Sequence, residues 1–285
     1  MPRFLLIVVA LLFSLSVSAQ DDPPKCKDDN KTRNCCGVLA ISACPVQGCG
    51  GDPELNTKKN RIDVPADSVV EQRTFTQLTA FKRPKKWKSG TGRAKLETWG
   101  EGRAVQIKGY IFEADNYTSG SESTNCYLSS NDFNDFHIVI VEDLVLANKA
   151  KAAEDVMDAA TTPAKKKTAK TKFKAAHKRA EKRSLTAEIT PRLRPVGWEI
   201  ATLRELVRSG GVPTDDTDTA TNIKRPFAYI RVTGWAMLDT QHISKPIDRR
   251  SNWELHPVTK FEVCTTTVLA CNGGSGWKGL EEIDD

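Results

Sequence analysis

The sequence predicts a mainly β protein built around a small closed barrel. Three observations carry this expectation. Five segments have strand character, they run in the order three strands, one short amphipathic helix, two strands, and glycines interrupt the first and fourth of them. That order is the one expected of a five-stranded OB-like Greek-key barrel.

The first segment, "AVQIKGYIFEA" (104–114), alternates Val105, Ile107, Gly109 and Ile111 with Gln106, Lys108 and Tyr110, the period of a half-buried strand. "DFHIVIVED" (135–143) is a short apolar run rich in β-branched residues, and "LTAEITPRL" (185–193) reads as a third strand stopped by Pro191. In "GWEIATLRELVRSGG" (197–211), Ile200, Leu203, Leu206 and Val207 recur at three- and four-residue spacing before a glycine pair, which predicts a short helix with a C-terminal stop. "FAYIRVTGWAMLD" (227–239) and "NWELHPVTKFEV" (252–263) supply the last two strands. Gly109 and Gly234 suit points where a small barrel bends or lets backbones approach closely.

In the last strand Trp253, Leu255 and Phe261 form the more apolar set and are expected inside. Glu254, His256, Val258 and Lys260 then share the outer face. Pro257 gives no ladder hydrogen bond, so it predicts a kink or bulge that turns His256 out of the regular pleat and exposes it.

Taken in order, "GYIFEADN", "DFHIVIVED", "EITPRL", "YIRVTGWAMLD" and "WELHPVTKFEV" resemble a group of exported, largely uncharacterised bacterial proteins with an OB-like barrel. "CGGDPELNTKKNR" upstream is similar to the segment that precedes the barrel in such proteins. The resemblance spans most of residues 44 to 263 and implies the barrel and export, without an activity. A lysine-rich insertion between the second and third strands departs from the pattern.

Around the barrel (104–263) the chain divides by composition. Residues 1–19 have an Arg near the start, an apolar run from Phe4 and small residues at Val17-Ser18-Ala19, the layout of a signal peptide cut after Ala19. No later segment is apolar enough to span a bilayer, so a secreted or periplasmic protein without a transmembrane segment is expected. Residues 20–103 read as a cysteine-rich, basic and irregular region, and 264–285 as a tail whose "LEEIDD" end is frayed. Eight cysteines, Cys26, Cys35, Cys36, Cys44, Cys49, Cys126, Cys264 and Cys271, fit disulfides in an oxidising compartment, with a short Cys264–Cys271 loop among the pairings. "CPVQGC" lacks the second ligand pair that a zinc site needs.

Charge is concentrated. Residues 149–183 hold twelve Lys or Arg against four Asp or Glu, although the whole chain is only +6. With almost no large apolar residue, this insertion is expected to be a solvated helix or disordered, unable to pack. A second basic stretch, "FKRPKKWKSGTGRAK" (81–95), interleaves Phe81 and Trp87 with seven basic residues, as single-strand binding surfaces do. Lys85, Lys86, Trp87 and Lys88, with Lys165, Lys166 and Lys167, are therefore the candidate anion-binding residues.

Two functional classes remain. The favoured one is an exported binding or accessory module, not an enzyme, for an anionic polymer: nucleic acid first, a cell-envelope polymer second, with no cofactor. The alternative is a metal-dependent hydrolase of the phosphodiesterase type. In it His256, Glu254 and Asp239 are catalytic and His137, His242, His256 and Asp239 hold a divalent metal, because strands four and five should bring these groups together. Histidine supplies a ligand or proton acceptor near neutral pH, and a carboxylate orients its second nitrogen. No HExxH, GxSxG or glycine-rich phosphate loop is present.

Overall fold

The computed structural model describes residues 26–28, 31–33, 38–88, 90–116, 122–209, 217–218, 223–224, 227–243 and 247–283. The expected signal peptide (1–19), Cys35 and Cys36, and the side chain of Cys26 lie outside the described residues. Residues 1–37 form a separate unit, described only as an antiparallel pair of three-residue strands, Cys26–Asp28 and Lys31–Arg33.

The second unit is a closed five-stranded mixed barrel with β1 (Ala104–Asn116), β2 (Phe136–Val141), β3 (Ser184–Ile189), β4 (Tyr229–Leu238) and β5 (Trp253–Cys264). β1 pairs antiparallel with β2, β2 with β3, β4 with β5 and β4 with β1. The ring closes where β5 lies parallel to β3, with Leu255 opposite Ala187. Around the ring the order is β1-β2-β3-β5-β4.

The interior follows the period of two. Val105, Ile107 and Ile111 from β1 meet Ile138, Ile140, Leu185, Ala187, Ile230, Val232, Trp253 and Leu255, all at most 1 % exposed. The two glycines sit where neighbours leave no room. A Cβ on Gly109 would come within 2.7 Å of Ile140 Cγ2, and one on Gly234 within 2.7 Å of the Pro257 carbonyl oxygen.

β5 corrects one assignment. The register shifts between Leu255 and Val258 and again between Val258 and Lys260. This double irregularity around Pro257 turns Val258 into the core beside Trp253, Leu255 and Phe261, so it leaves the face of Glu254 and His256.

Two regions expected to be irregular are folded instead. Between 38 and 103 lie α1 (Pro53–Lys59), α2 (Phe75–Thr79) and α3 (Ala94–Glu97), and Phe75, Leu78 and Leu96 join the barrel core. Local signals start the first two. Asp52 caps α1 ahead of Pro53, and Thr74 with Gln77 forms a reciprocal capping box on α2. The tail also docks. The Cys264–Cys271 disulfide closes a turn containing α7 (Val268–Asn272), Trp277–Gly279 pairs with β5, and Leu280 is 1 % exposed.

The basic insertion is a helical hairpin, α4 (Leu144–Asp158) and α5 (Pro163–Glu181), capped by Asp143 and Thr162. It packs, contrary to its composition. Ala150 and Ala180 of the insertion join Leu144 and Ala147, which precede it in α4, in a narrow seam against Tyr110, Phe112 and Phe227 on the outside of the barrel. Alanine loses little side-chain entropy and lets helix backbones come close, so few large residues are needed. The helix between β3 and β4, α6 (Ile200–Ser209), buries Ile200, Leu203 and Leu206 in the main core.

Candidate functional site

The site lies on the outer face of β2, β3 and β5, beneath a roof made by residues 44–60 and 122–135. A disulfide between Cys44 and Cys126 ties the two halves of the roof together. Along α1, Asn56 and Asn60 sit four residues apart on one face and fasten the roof from within. Asn56 Nδ2 donates to the carbonyls of Gln47 (3.0 Å) and Gly50 (2.9 Å). Asn60 Nδ2 donates to the carbonyls of Val46 (3.0 Å) and Thr124 (2.8 Å). Gly48, at φ +62°, lies under the Ser123 carbonyl, where a Cβ would come within 2.4 Å. The same helix face aims Lys59 inward.

Glu188 is the hub beneath. Its Oε2 lies 2.5 Å from His256 Nδ1 and 3.3 Å from Lys59 Nζ, and its Oε1 lies 3.3 Å from His137 Nδ1. Strand register explains the meeting. His137 pairs with Glu188 across β2 and β3, while the Leu255–Ala187 pairing sets Glu254 and His256 of β5 beside it. His256 Nε2 faces Asp135 Oδ2 at 3.4 Å, and Asn125 Nδ2 donates to Asp135 Oδ1 at 3.2 Å. Glu122 closes the far side at 3.4 Å from His137 Nε2.

A chain of pairs leads outward. Arg249 spans Glu254 (2.8 Å) and Asp239, and Asp239 Oδ2 lies 2.6 Å from His242 Nδ1. Asp239, Glu188, His137, His242, Arg249 and Glu122 line a groove of about 470 Å³, with Asp248 and Glu181 at its edge.

The electrostatics follow from burial. For His256, burial opposes the charged form, but the Glu188 carboxylate outweighs it and raises the pKa to about 9. His137 is likewise lifted to about 9, against burial, chiefly by Glu188 and Glu122. Burial raises Asp135 to about 6, with Glu122 adding to the rise and His256 opposing it. Glu188 is held well below the usual carboxylate range because His137, Lys59 and His256 overcome its desolvation. Lys59 is raised, since Glu188, Glu254 and Asp135 outweigh its burial.

His137, His256, Glu254, Asp239 and His242 thus belong to one network, but not to one ligand shell. His137 reaches His256 through Glu188, because β3 lies between their strands. His256 and Glu254 point away from the barrel interior as expected, yet each is only 1 % exposed, because the roof covers them. The expectation that Pro257 exposes His256 is corrected on this point. Asp135, Glu188 and Lys59 were not singled out from sequence.

The basic candidates fall elsewhere. Lys85, Lys86 and Lys88 are exposed, whereas Trp87 is half-buried against the barrel core. Phe81 stacks edge-on against Trp253 with centroids 5.3 Å apart. These rings serve packing and leave no aromatic platform between the lysines. Lys165, Lys166 and Lys167 are exposed in the first turn of α5. Of the disulfide candidates, Cys44–Cys126 and Cys264–Cys271 are formed, and Cys49 is also disulfide-bonded.

No protein-family model, curated protein or solved structure matches this chain. Among the described residues no helix is long and apolar enough to cross a membrane, and the disulfides are compatible with an extracellular or periplasmic protein.

Proposed function

We propose that this protein is an exported OB-like binding module that engages an anionic polymer, nucleic acid first, through its helical hairpin. The ring order β1-β2-β3-β5-β4, the parallel β3–β5 contact and a helix between β3 and β4 support the OB-like reading. The signal-like N-terminus and the disulfides support export.

The observation that carries the reading is the two-sided build of α5. Ala169, Phe173, Ala176 and Ala180 face inward at helical spacing. Lys167, Lys170 and Lys174 lie outside this seam on one exposed flank, and pair with no carboxylate among the described residues. Three to four residues of helix rise by roughly 5 Å, so these ammonium groups form a regular line suited to a linear polyanion. The outer face of β2 and β3, where OB barrels often bind oligomers, is instead acidic here, with Glu122, Glu188 and Asp239 around the groove. The cationic hairpin, not this face, therefore carries the polyanion reading.

One observation favours a second reading, a hydrolase. His242 is half-exposed, and Asp239 lies 2.6 Å from its Nδ1, an arrangement that can orient an imidazole for general-base work. In this form the alternative centres on Asp239 and His242 instead of the roofed His256.

Fluorescence anisotropy with labelled single-stranded DNA, RNA and a polyphosphate probe separates the readings. Lys167→Ala/Lys170→Ala/Lys174→Ala should weaken binding at low salt with the barrel intact. Probe cleavage that survives this change and disappears in His242→Ala would establish the hydrolase instead.

A further inference from the structure

The buried network holds a feature that polymer binding by the hairpin does not use. Asp135, Glu188 and His256 each offer one ligand atom, and these atoms lie within 4.8 Å of one another. All three residues are at most 4 % exposed. They come from three strands or their immediate ends, the start of β2, the end of β3 and the first third of β5, so the barrel wall holds them.

The hydrogen bonding around them is incomplete. His256 meets its carboxylates as ion pairs, with Glu188 Oε2 2.5 Å from Nδ1 and Asp135 Oδ2 3.4 Å from Nε2, neither contact in good hydrogen-bond alignment. Asp135 Oδ2 and Glu254 Oε1 are also buried without a hydrogen bond, the latter 3.8 Å from His256 Nδ1. Two carboxylate oxygens without a hydrogen bond, beside an imidazole held by poorly aligned ion pairs, are costly in the interior and suit a ligand that aligns with all three groups. Five carboxylates converge on the network, Asp135, Glu188, Glu254, Asp239 and Glu122, against two permanent cations, Lys59 and Arg249. With His137 and His256 counted as cations, one negative charge is left over.

We propose that Asp135, Glu188 and His256 form a binding site for one divalent transition-series cation. An imidazole nitrogen with two carboxylate oxygens suits Zn²⁺ and its neighbours better than Mg²⁺ or Ca²⁺, which favour all-oxygen shells. Of the three residues only Glu188 also lines the acidic groove, so it links the buried site to that groove, whose Glu122 and Asp239 attract a cation. Glu254, held by Arg249 together with Asp239, stands next to the site at 3.8 Å from His256 Nδ1. The inference does not depend on the polymer reading and does not require catalysis.

The test uses the full, disulfide-intact chain stripped with EDTA. Calorimetric titration with ZnCl2 should show one ion per chain. Asp135→Asn, which keeps shape and removes a charged ligand, should weaken uptake by ~10-fold or more. Glu113→Gln, in the separate His177 group on the hairpin, should leave it unchanged. Undiminished uptake in Asp135→Asn, or no uptake by the unaltered protein, overturns the proposal. Crystals of the unaltered protein soaked in ZnCl2 give a reading independent of any variant. An anomalous peak among the three residues supports the site, and its absence there overturns it.

Discussion

Two histidines in this protein are each gripped by carboxylates, and burial separates them. His256 sits 1 % exposed among Glu188, Asp135 and Glu254, beneath a disulfide-tied roof. His177, on α5, lies between Glu113 of β1 and Glu181 one helical turn ahead, with its side chain 23 % exposed. The chemistry is alike, but the surroundings are not. In the interior a charge that loses its partner has no water to take it up, so every member of the His256 network depends on the others. At the hairpin water screens the same contacts and each is worth little. Phe112 and Phe173 pack against the His177 ring, at 5.0 and 5.1 Å between centroids, so apolar contact shares the work there.

The largest effect expected from this contrast is at Glu188. Glu188→Gln leaves Lys59, His137 and His256 without their common counter-charge, and the denaturation midpoint should report a loss of about 3–5 kcal/mol. A loss below ~1 kcal/mol would mean that the network is no more coupled than a surface pair. Next comes the clamp on the roof. Cys44→Ser with Cys126→Ser releases a cross-link spanning 82 residues and should cost about 2–5 kcal/mol. It should also increase hydrogen exchange in α1 more than in β4.

Glu113→Gln should then cost no more than ~1 kcal/mol, felt as faster exchange in α4 and α5 while the barrel strands stay protected. A global loss of stability would show that the hairpin and barrel unfold as one. The smallest effect is that of pH on the hairpin. Hydrogen bonds to Glu113 and Glu181, in that order, raise the His177 pKa to about 10 despite partial burial. A folded value above the unfolded ~6.5 means that this group's contribution is complete below about pH 6.5. It declines as pH rises through about 10. An NMR titration of the His177 ring should show no transition near 6.5, and one at that value would sever the link between ring and carboxylates.

The same contrast explains what could be read in the sequence. The barrel was legible because its signal is local: Val105, Ile107 and Ile111 alternate within a single strand, and Pro257 marks its own bulge. His256 and Glu254 stood out as unusual residues on a core strand. Their partners did not. Lys59 is one lysine among many, in a helix 129 residues away from Glu188, and only the closed ring with its roof brings the two together. Asp52-Pro53 and Thr74…Gln77 were helix-start signals of ordinary strength in a stretch whose cysteines and glycines suggested irregularity. The hairpin misled through composition, since alanine seams pack without the large residues by which a buried face is usually recognised.

The account's central claim, that the hairpin and not the acidic barrel face meets an anionic polymer, is tested most directly by salt. The affinity for a single-stranded oligonucleotide should fall log-linearly with salt. Lys167→Ala/Lys170→Ala/Lys174→Ala should flatten that slope by about 2, near 0.7 for each lost phosphate contact. An unchanged slope in the triple variant, or an affinity indifferent to salt in the unaltered protein, would contradict it.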